Sequence, residues 1–330
     1  MSAQPASLRR PSFADILTAA RTIRPYLSKT AFHESVSLGR IAGCRLFIKY
    51  ENHQPVNSFK IRGALNRMMA TAPAERIRGF ITSSMGNHGL GVCYAAKIIE
   101  AAATVCVPEK ANPDKVEAMR NLGAEVVAFG SDFEDASKNA VAIAEERGAT
   151  FLHPHNDPLI IAGHATAALE MFEDEPEIDT IVFPIGGGTL IAGAALVAKT
   201  LKPEVRVIGV QAERLAAFAV SVKEGRRIQI PPASTFAEGV AVREPPELPF
   251  GMVQDYVDEI VTVTEEEMRR GILLLLEKTH NLAEGAGAAG VAAVVQQRER
   301  IAGRVVGTIL SGGNLPWHVL NKALNDIHSW

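Results

Sequence analysis

The sequence has little cysteine, few aromatic side chains and no long uninterrupted apolar run. Of its 330 residues, three are cysteines and 6% are aromatic. The cysteines, Cys44, Cys93 and Cys106, lie in apolar stretches without metal-ligand spacing, so we expect reduced, buried thiols in a cytoplasmic protein. The scarcity of aromatic residues argues against a stacking platform for single-stranded nucleic acid.

Membrane association is also not expected. No apolar stretch reaches the roughly 20 residues that span a bilayer, and the longest, "GAGAAGVAAVV", lies between Glu284 and Gln296. The first residues, "MSAQPASLRRPSF", lack the apolar segment of a signal peptide. A net charge of −3 and a pI near 6.3 give no attraction to phosphate backbones or anionic lipids. We therefore expect neither nucleic acid nor membrane as a partner.

What the sequence does contain is an alternation of short apolar runs with segments of helical spacing. Continuous apolar strands separated by helices are typical of parallel sheets that are covered on both faces. The predicted class is therefore α/β with right-handed crossovers. We predict two sheets, because eight or more strands rarely form one open sheet in a chain of this length. The predicted strands are 45–50, 79–83, 103–108, 125–129, 180–185, 205–211, 259–264 and 304–310, and the helices that follow the first four are 61–71, 87–99, 112–122 and 133–147.

Two irregular stretches interrupt this alternation. The break between the sheets falls near "FLHPHNDPLIIAGH" at 151–164, where two prolines interrupt a polar loop. The proline-rich stretch 226–251 is too long for an ordinary connection, and loops of such length are usually functional. We expect the second stretch to cover a site.

The strongest local signal is the glycine loop in "PIGGGTLIAG" (184–193). Gly186, Gly187 and Gly188 lack Cβ atoms, so their amides can surround an anion while the helix that starts near Thr189 adds its positive end. The loop has neither the lysine of a P-loop nor the spacing of a dinucleotide fingerprint. A tight strand-to-helix turn is the plainer alternative, but three successive glycines exceed that need. The sequence predicts phosphate binding here.

Two further loops follow predicted strands. In "TSSMGNHGLG" (82–91), Ser83 and Ser84 can cap the next helix, and exposed amides in its first turn can hold a carboxylate. In "LSGGNLP" (310–316), Ser311 leaves a strand, and by itself this segment is only a turn. Ligands of open α/β sheets collect at the carboxyl ends of strands, so all three loops can face one crevice.

Lys60, in "NSFKIRGALNRM" (57–68), is the candidate residue that relates the three loops to one bound cofactor. Taken alone, a lysine near a helix start is nearly always solvated. A phosphate cradle without acidic metal ligands, however, indicates a phosphorylated cofactor. A lysine amine can form a Schiff base with pyridoxal phosphate when its surroundings lower the amine's pKa.

The order of the motifs resembles that of the threonine/serine dehydratase family, within the fold-type II pyridoxal-phosphate enzymes. The resemblance covers residues 15 to 328. It implies two α/β domains, each with a mostly parallel central sheet, and an active site in the crevice between them. We expect a large cofactor-binding domain at 1–52 plus 156–330 and a small mobile domain at 53–155. The motifs that carry the resemblance are "ENHQPVNSFKIRGALNRM", "SSMGNHGLGVCYAAK", "VPEKANPDKVEAMRNLGAEVV", "HPHNDPLIIAGHAT", "PIGGGTLIAG", "TFAEGVAVR", "NLAEGAGAAG" and "LSGGN".

The resemblance also implies roles for individual residues. Lys60 would bind the cofactor covalently and later act as the base on Cα–H, and Phe59 would lie beside the ring. Asn87 would hydrogen-bond to the cofactor's 3′-oxygen, and Glu284 would lie near the ring. The phosphate would be bound by Gly186, Gly187, Gly188 and Thr189, and the substrate carboxylate by the amides from Ser84 to His88.

Ser311 would face the pyridine nitrogen. A neutral hydroxyl there makes the ring a weaker electron sink than an aspartate would, which suits β-elimination. The implied reaction removes water from a 3-hydroxy amino acid, with a proton from the cofactor phosphate, and yields a 2-oxo acid and ammonia. Threonine or serine is the expected substrate, and 3-phenylserine, 3-hydroxyaspartate or a hydroxylated cyclic amino acid are bulkier or more polar alternatives.

Three positions depart from the family pattern. Met85 takes the place of a small residue in the carboxylate loop and has no proton to deliver, which disfavours racemisation. His155 is either a loop histidine that is hydrogen-bonded to backbone or a polar contact for an unusual substrate side chain. Asn57 replaces a glycine, and asparagine tolerates the left-handed conformation.

We expect no metal site. Where relatives have acidic ligands for a divalent cation, this chain has Gln211 and Ala217, with Glu213 as the nearest carboxylate, and hard cations need several oxygen ligands. Weak monovalent binding stays open. The family implies a homodimer, and the short sequence after the last motif predicts a catabolic enzyme without a regulatory domain. The alternatives are a racemase, a β-replacement synthase and a cofactor-binding protein without catalysis.

Overall fold

The computed structural model describes residues 9–325, which form two compact units. Unit 1 comprises residues 9–28 and Lys60–His164, and unit 2 comprises Lys29–Phe59 and residues 165–325. The boundaries of these units differ from those of the predicted domains, which are 1–52 plus 156–330 and 53–155. The first helix packs against the helix that begins at Lys60, so the N-terminal segment belongs to unit 1. The mobility and cofactor binding of the predicted domains remain predictions.

The helices and strands follow one another in the alternating order that the sequence predicts. Along the chain they are α1 Phe13–Ile23, β1 Phe32–Glu34, α2 Val36–Ala42, β2 Arg45–Tyr50, α3 Lys60–Met69, α4 Pro73–Arg76, β3 Phe80–Ser83, α5 Asn87–Ile98, β4 Ala103–Val107, α6 Pro113–Asn121, β5 Glu125–Ala128, α7 Phe133–Arg147, β6 Thr150–Phe151, α8 Pro158–Asp174, β7 Thr180–Pro184, α9 Thr189–Leu201, β8 Arg206–Ala212, α10 Ala217–Lys223, α11 Glu247–Tyr256, β9 Glu259–Val263, α12 Glu265–Thr279, α13 Gly285–Gln296, β10 Val305–Leu310 and α14 Trp317–Asn325.

Unit 1 is built on a four-stranded sheet in the order β5-β4-β3-β6, and all its pairs are parallel. Its central strands β3 and β4 are buried along their whole length, as their continuous apolar sequence predicts. Helix α7 lies over them and buries a stripe of alanines. The carboxyl end of β3 leads directly into the segment before α5, which places the "SSMGNH" loop at the edge of this sheet.

Unit 2 is built on a six-stranded sheet in the order β1-β2-β10-β7-β8-β9. Only the β1–β2 pair is antiparallel, and the other pairs are parallel. The prediction of an α/β fold with two mostly parallel sheets is confirmed. The sequence did not predict β1 and β6, because segments of three and two residues carry no readable periodicity.

Helix α13 forms the centre of unit 2. Its residues from Gly285 to Val294 are all buried, and it packs against β7, β8, β9 and β10. Its small residues allow this close packing, which accounts for the longest apolar run in the sequence. Within residues 9–325, no helix is both long and apolar enough to cross a bilayer.

The three cysteines are free thiols, as predicted. Cys93 and Cys106 are buried and Cys44 is half-buried. Burial raises the pKa of the Cys93 thiol to about 12 and those of Cys44 and Cys106 to about 11. Because the thiolate is the reactive form, these side chains act as packing groups.

Candidate active site

Lys60 is the first residue of α3 in unit 1, and it is half-buried. Its backbone lies against α5: a Cβ built on Gly91 would be 3.0 Å from the Lys60 carbonyl carbon and 3.1 Å from the Ile61 nitrogen. A side chain at position 91 would therefore push the two helices apart. Because residue 91 is a glycine, the backbone of Lys60 lies directly against α5, the helix that follows the predicted carboxylate loop.

That loop leads into α5 through a glycine N-cap. Gly86 is the N-cap of α5 and makes no side-chain cap. The Ser84 hydroxyl accepts a hydrogen bond from the Gly86 amide (3.2 Å) within the loop. The buried Ser83 hydroxyl has no partner, so the predicted cap by Ser83 is wrong. Met85 is 40% exposed. The N-terminal end of α5, with Asn87 and His88 in its first turn, can attract a carboxylate by its orphan donors and dipole.

A histidine of the loop before α8 is hydrogen-bonded to backbone, but it is not His155. The ring that bonds to backbone belongs to His153, whose Nδ1 accepts hydrogen bonds from the amides of His155 and Asn156, both at 3.0 Å. The His155 ring stands edge-on to the His153 ring, with centroids 6.2 Å apart. Burial, followed by the charge of Lys60, lowers the pKa of His155 well below its usual value. His155 is therefore an uncharged, half-buried group.

The glycine loop of unit 2 has the form of an anion cradle. Gly188 is the N-cap of α9 and has a φ of 82°, which disfavours any side chain. A Cβ at Gly186 would lie 2.0 Å from the Gly239 carbonyl oxygen. The first three turns of α9, from Thr189 to Ala198, are buried. A buried helix start with three glycines before it fits a phosphate group.

The remaining predicted residues of unit 2 are joined to this cradle by backbone contacts. Gly239 lies beside Gly186. A Cβ built on Gly239 would be 3.8 Å from Oε1 of Glu284. The Glu284 amide donates to the Gly312 carbonyl (3.0 Å), and the Phe59 amide donates to the Ser311 carbonyl (3.1 Å). Phe59 and Ser311 are buried. Phe59, the glycine loop, Glu284 and Ser311 are thus brought together within unit 2.

The proline-rich stretch supplies one wall of the cradle. It is largely irregular, with a short turn at Glu238–Val240 before α11 begins, and this turn carries the carbonyl beside Gly186. That the stretch covers a ligand site stays a prediction.

Replacing Gly188 by alanine should weaken binding of the phosphorylated cofactor about tenfold or more, or roughly 1.4 kcal/mol. Its Cβ would meet Phe218 Cζ at 2.6 Å and Pro249 Cβ at 2.9 Å, so the cradle must open. The measurement is the cofactor dissociation constant, obtained by titrating the apoprotein.

Gly303→Ala is the matched control for this prediction. Gly303 has a similar φ of 74°, but nothing lies within 4 Å of its Cβ position. Both variants carry the same backbone strain, of about 1–2 kcal/mol, and only Gly188→Ala disturbs the cradle. Equal cofactor affinities in the two variants would show that the loop holds no phosphate.

Two residues that differ from the family pattern, Asn57 and Gln211, have structural explanations. Asn57 has a φ of 53°, so the expected left-handed conformation is confirmed. Gln211 is fully buried; its Oε1 accepts from the Ala219 amide (2.9 Å) and its Nε2 donates to the Leu215 carbonyl (3.4 Å). It joins β8 to α10 as a neutral group. The part of the chain that is described holds no cluster of three metal-ligating side chains.

Sequence reasoning missed several polar groups of unit 1. The His88 imidazole, known only as part of the carboxylate loop, is 4% exposed and has no hydrogen-bond partner at either nitrogen. His164 on α8 is fully buried, and burial, followed by the charge of Lys60, lowers its pKa well below the usual value. A single histidine within an apolar helix is indistinguishable in sequence from a core residue. No local pattern could have associated it with Lys60.

Comparison with known proteins gives consistent matches. A model of the family "pyridoxal-phosphate dependent enzyme" matches residues 23–312. The L-threonine ammonia-lyase of Thermotoga maritima is 42% identical over 94% of this chain and 77% of its own. The catabolic L-threonine dehydratase TdcB of Escherichia coli is 36% identical over 91% of this chain and 92% of its own. The structure of maize serine racemase, 31% identical, superposes with a TM-score of 0.91 over 97% of this chain and 99% of that one.

Proposed function

Because the chain belongs to the family of pyridoxal-phosphate-dependent enzymes, we propose that it is an ammonia-lyase for 3-hydroxy amino acids of the threonine or serine type. It eliminates water from the substrate, and the product decomposes to a 2-oxo acid and ammonia. The relatives that are L-threonine ammonia-lyases and dehydratases support this reaction. The observation that carries the proposal is Lys60 at the start of α3, held by its backbone against the helix of the carboxylate loop.

The residues of unit 2 fit the cofactor. Gly186, Gly187, Gly188 and Thr189 would hold its phosphate, Phe59 and Glu284 would contact its ring, and Ser311 would face its pyridine nitrogen. When bound through Lys60, pyridoxal phosphate withdraws electrons from the bonds at the substrate's Cα. A serine hydroxyl at position 311 can hydrogen-bond to the nitrogen but cannot keep it protonated as a carboxylate would. This favours rapid loss of a leaving group over reactions that need a persistent negative charge.

The residues of unit 1 handle the substrate. The amides between Ser84 and His88 would hold its carboxylate at the positive end of α5. This fixes the orientation of Cα, while the Lys60 amine takes the Cα proton. Asn87 would hydrogen-bond to the cofactor's 3′-oxygen. Met85 and His155 would border the side-chain pocket, the first as a bulky apolar group and the second as an uncharged polar one.

The same proposal includes a homodimeric enzyme in the cytoplasm. Free, unreactive thiols support a reducing compartment, and the family resemblance supports the dimer. Size-exclusion chromatography with light scattering measures the second point directly.

A substrate screen tests the function. The holoenzyme is expected to form 2-oxo acid from at least one of L-threonine, L-serine, 3-phenylserine and 3-hydroxyaspartate, and the apoprotein from none. Loss of activity on cofactor removal and its return on adding the cofactor provide the control. Formation of 2-oxo acid from no member of the panel would contradict the lyase assignment.

Two measurements separate the lyase from the alternatives on this fold. Chiral chromatography would reveal inversion of the substrate, the sign of a racemase, which Met85 disfavours because it has no proton to give. Sulfide-dependent consumption of O-acetylserine would reveal a synthase. We expect neither to compete with elimination.

A further inference from the structure

Helix α10, Ala217–Lys223, lies against the glycine loop that we assign to the cofactor phosphate. Its Phe218 is fully buried, and Phe218 Cζ lies 2.6 Å from the position that a Cβ on Gly188 would occupy. The Phe218 ring also packs against that of Phe250 on α11, with centroids 6.5 Å apart. Phe218 is therefore a wall of the cradle, and the position of α10 determines how closely the loop can surround an anion.

The same helix holds the start of the proline-rich stretch. The Ser221 hydroxyl on α10 accepts a hydrogen bond from the Ile228 amide at 2.9 Å, and Ser221 is fully buried. The stretch continues to Gly239, whose carbonyl oxygen fills the place of a Cβ on Gly186. Helix α10 thus borders the loop through one side chain and fixes the beginning of the segment that borders its other end.

No local feature of α10 holds the helix in this position. It has seven residues, and its N-cap Ala216 makes no side-chain cap. Helices this short depend on tertiary contacts, and the first amides of a helix have no acceptor within it. The acceptor for the Ala219 amide, in the first turn of α10, comes from a different part of the chain.

Gln211, in β8, supplies this acceptor and a donor as well. Its side chain is fully buried; its Oε1 accepts from the Ala219 amide at 2.9 Å, and its Nε2 donates to the Leu215 carbonyl at 3.4 Å. One carboxamide thus satisfies two backbone groups of opposite polarity. An ionised glutamate could accept from Ala219 but could not donate to Leu215, and a methionine of similar size could do neither.

The family resemblance places an acidic ligand of a divalent cation at this position, and the residues present do not fit one. The Leu215 carbonyl accepts from the Gln211 carboxamide, Ala217 offers only a methyl group, and Glu213 is exposed. Divalent cations such as Mg²⁺ and Ca²⁺ need about six or more oxygen ligands. Gln211 therefore joins β8 to α10 by hydrogen bonds, and this connection needs no ion.

We propose that Gln211 is a positioning residue of the cofactor site, which holds α10 and its Phe218 against the glycine loop independently of any divalent cation. This role rests on the proposed binding of the cofactor phosphate by residues 186–189. Because Phe218 borders the glycine loop, Gln211 affects binding of the phosphate group. The residues assigned to the cofactor ring belong to other segments, so binding of the ring should depend on Gln211 far less.

The test compares pyridoxal phosphate with pyridoxal, which has the same ring but no phosphate. Gln211→Met keeps the approximate size of the side chain and removes both hydrogen bonds. In the apoprotein it should weaken binding of pyridoxal phosphate about tenfold, which corresponds to the free energy of one or two hydrogen bonds. It should weaken binding of pyridoxal less than about twofold.

Gln296→Met is the matched control. It makes the same substitution at the C-terminal end of α13, where Gln296 Nε2 donates to the Thr262 carbonyl at 3.0 Å. This bond lies away from the glycine loop, because the loop's neighbour Gly239 contacts Ala286 at the opposite end of α13. The control should change neither affinity.

The other outcomes separate the proposal from the function on which it rests. Equal losses for both ligands in Gln211→Met would show that Gln211 supports the fold in general, and would overturn the positioning role. No loss for either would show that α10 keeps its place without Gln211, and would also overturn it. A parent protein that binds pyridoxal phosphate no more tightly than pyridoxal would instead remove the phosphate cradle from the proposed function.

Chelation tests the independence from a cation. The affinity of the parent apoprotein for pyridoxal phosphate should be the same in EDTA and in added Mg²⁺. A higher affinity in Mg²⁺ would show that an ion, and not the Gln211 carboxamide alone, completes the connection between β8 and α10.

A further readout needs no ligand and decides the matter if Gln211→Met does not fold. In the parent apoprotein, the Ala219 amide should exchange with solvent deuterium as slowly as the Val220 amide, which bonds to the Ala216 carbonyl at 3.1 Å. Amide exchange followed by NMR measures both. Fast exchange of Ala219 beside a protected Val220 would overturn the proposal, because Gln211 would then not hold the first turn of α10.

Discussion

Lys60→Ala is expected to abolish turnover, with a loss of about 10⁴-fold or more in kcat. A general base alone contributes about 10²–10⁴-fold, and the same side chain would also bind the cofactor covalently. The variant should lose the visible absorbance of the lysine-bound cofactor. Borohydride reduction followed by peptide mass mapping should find the cofactor on the peptide that contains Lys60 in the parent protein, and on no peptide in the variant.

Lys97→Ala is the matched control, because Lys97 is exposed on α5 and should leave rate and absorbance unchanged. Turnover by Lys60→Ala, or labelling of a different lysine in the parent, would remove Lys60 from the mechanism. Matching circular dichroism spectra of variant and parent would show that Lys60→Ala keeps the fold, so that the loss of turnover can be assigned to the lysine side chain.

Acid should destabilise the protein steeply because His88 and His164 are buried without charge. The pKa of His88 is about 3 in the folded chain against a usual value of 6.5. Between these values the unfolded chain holds a proton that the folded chain does not. The free energy of unfolding is therefore highest above about pH 6.5 and falls as the pH is lowered, by about 1.4 kcal/mol per pH unit for His88 alone. His155 and His164 shift in the same direction and steepen the fall.

Urea denaturation at saturating cofactor from pH 6.5 to 5 measures this slope. The window lies above the range in which ion-paired carboxylates such as Glu125 and Glu259 titrate, since their pKa values are lowered by arginine partners. His88→Gln should reduce the slope by about 1.4 kcal/mol per pH unit, whereas His318→Gln, at an exposed histidine on α14, should keep it. A parent protein equally stable across this window would show that His88 and His164 are charged or solvated in the folded state.

The sequence predicted those parts of the fold that depend on local pattern. Buried strands such as β3 and β7 were readable because their residues are continuously apolar, and the glycine loop because Gly188 needs a positive φ. The sequence did not show which of these helices and strands pack against one another. That α1 joins unit 1 depends on its contact with α3, and nothing within residues 13–23 encodes that contact.

The candidate site divides in the same way. Lys60, the glycine loop and Ser311 were found because several motifs support one chemistry. The His88 ring was not, since only the tertiary structure shows that both its nitrogens lack partners. His155 was noticed for its unusual position, yet only the tertiary structure shows that the backbone amides of this loop donate to His153. Residue type indicates which chemistry a side chain can perform. Which hydrogen bonds that side chain makes depends on how the chain packs around it.

The order of strands in unit 2 affects how the enzyme matures. Strand β10 comes last in sequence among the strands of residues 9–325, yet it lies in the interior of the sheet, between β2 and β7. A chain emerging from the ribosome can pair its earlier strands only provisionally until this final segment arrives, and such long-range pairings form slowly. Ser311 enters with the same segment. The proposed cofactor site is therefore incomplete until the segment that carries Ser311 has been translated and β10 has paired with β2 and β7.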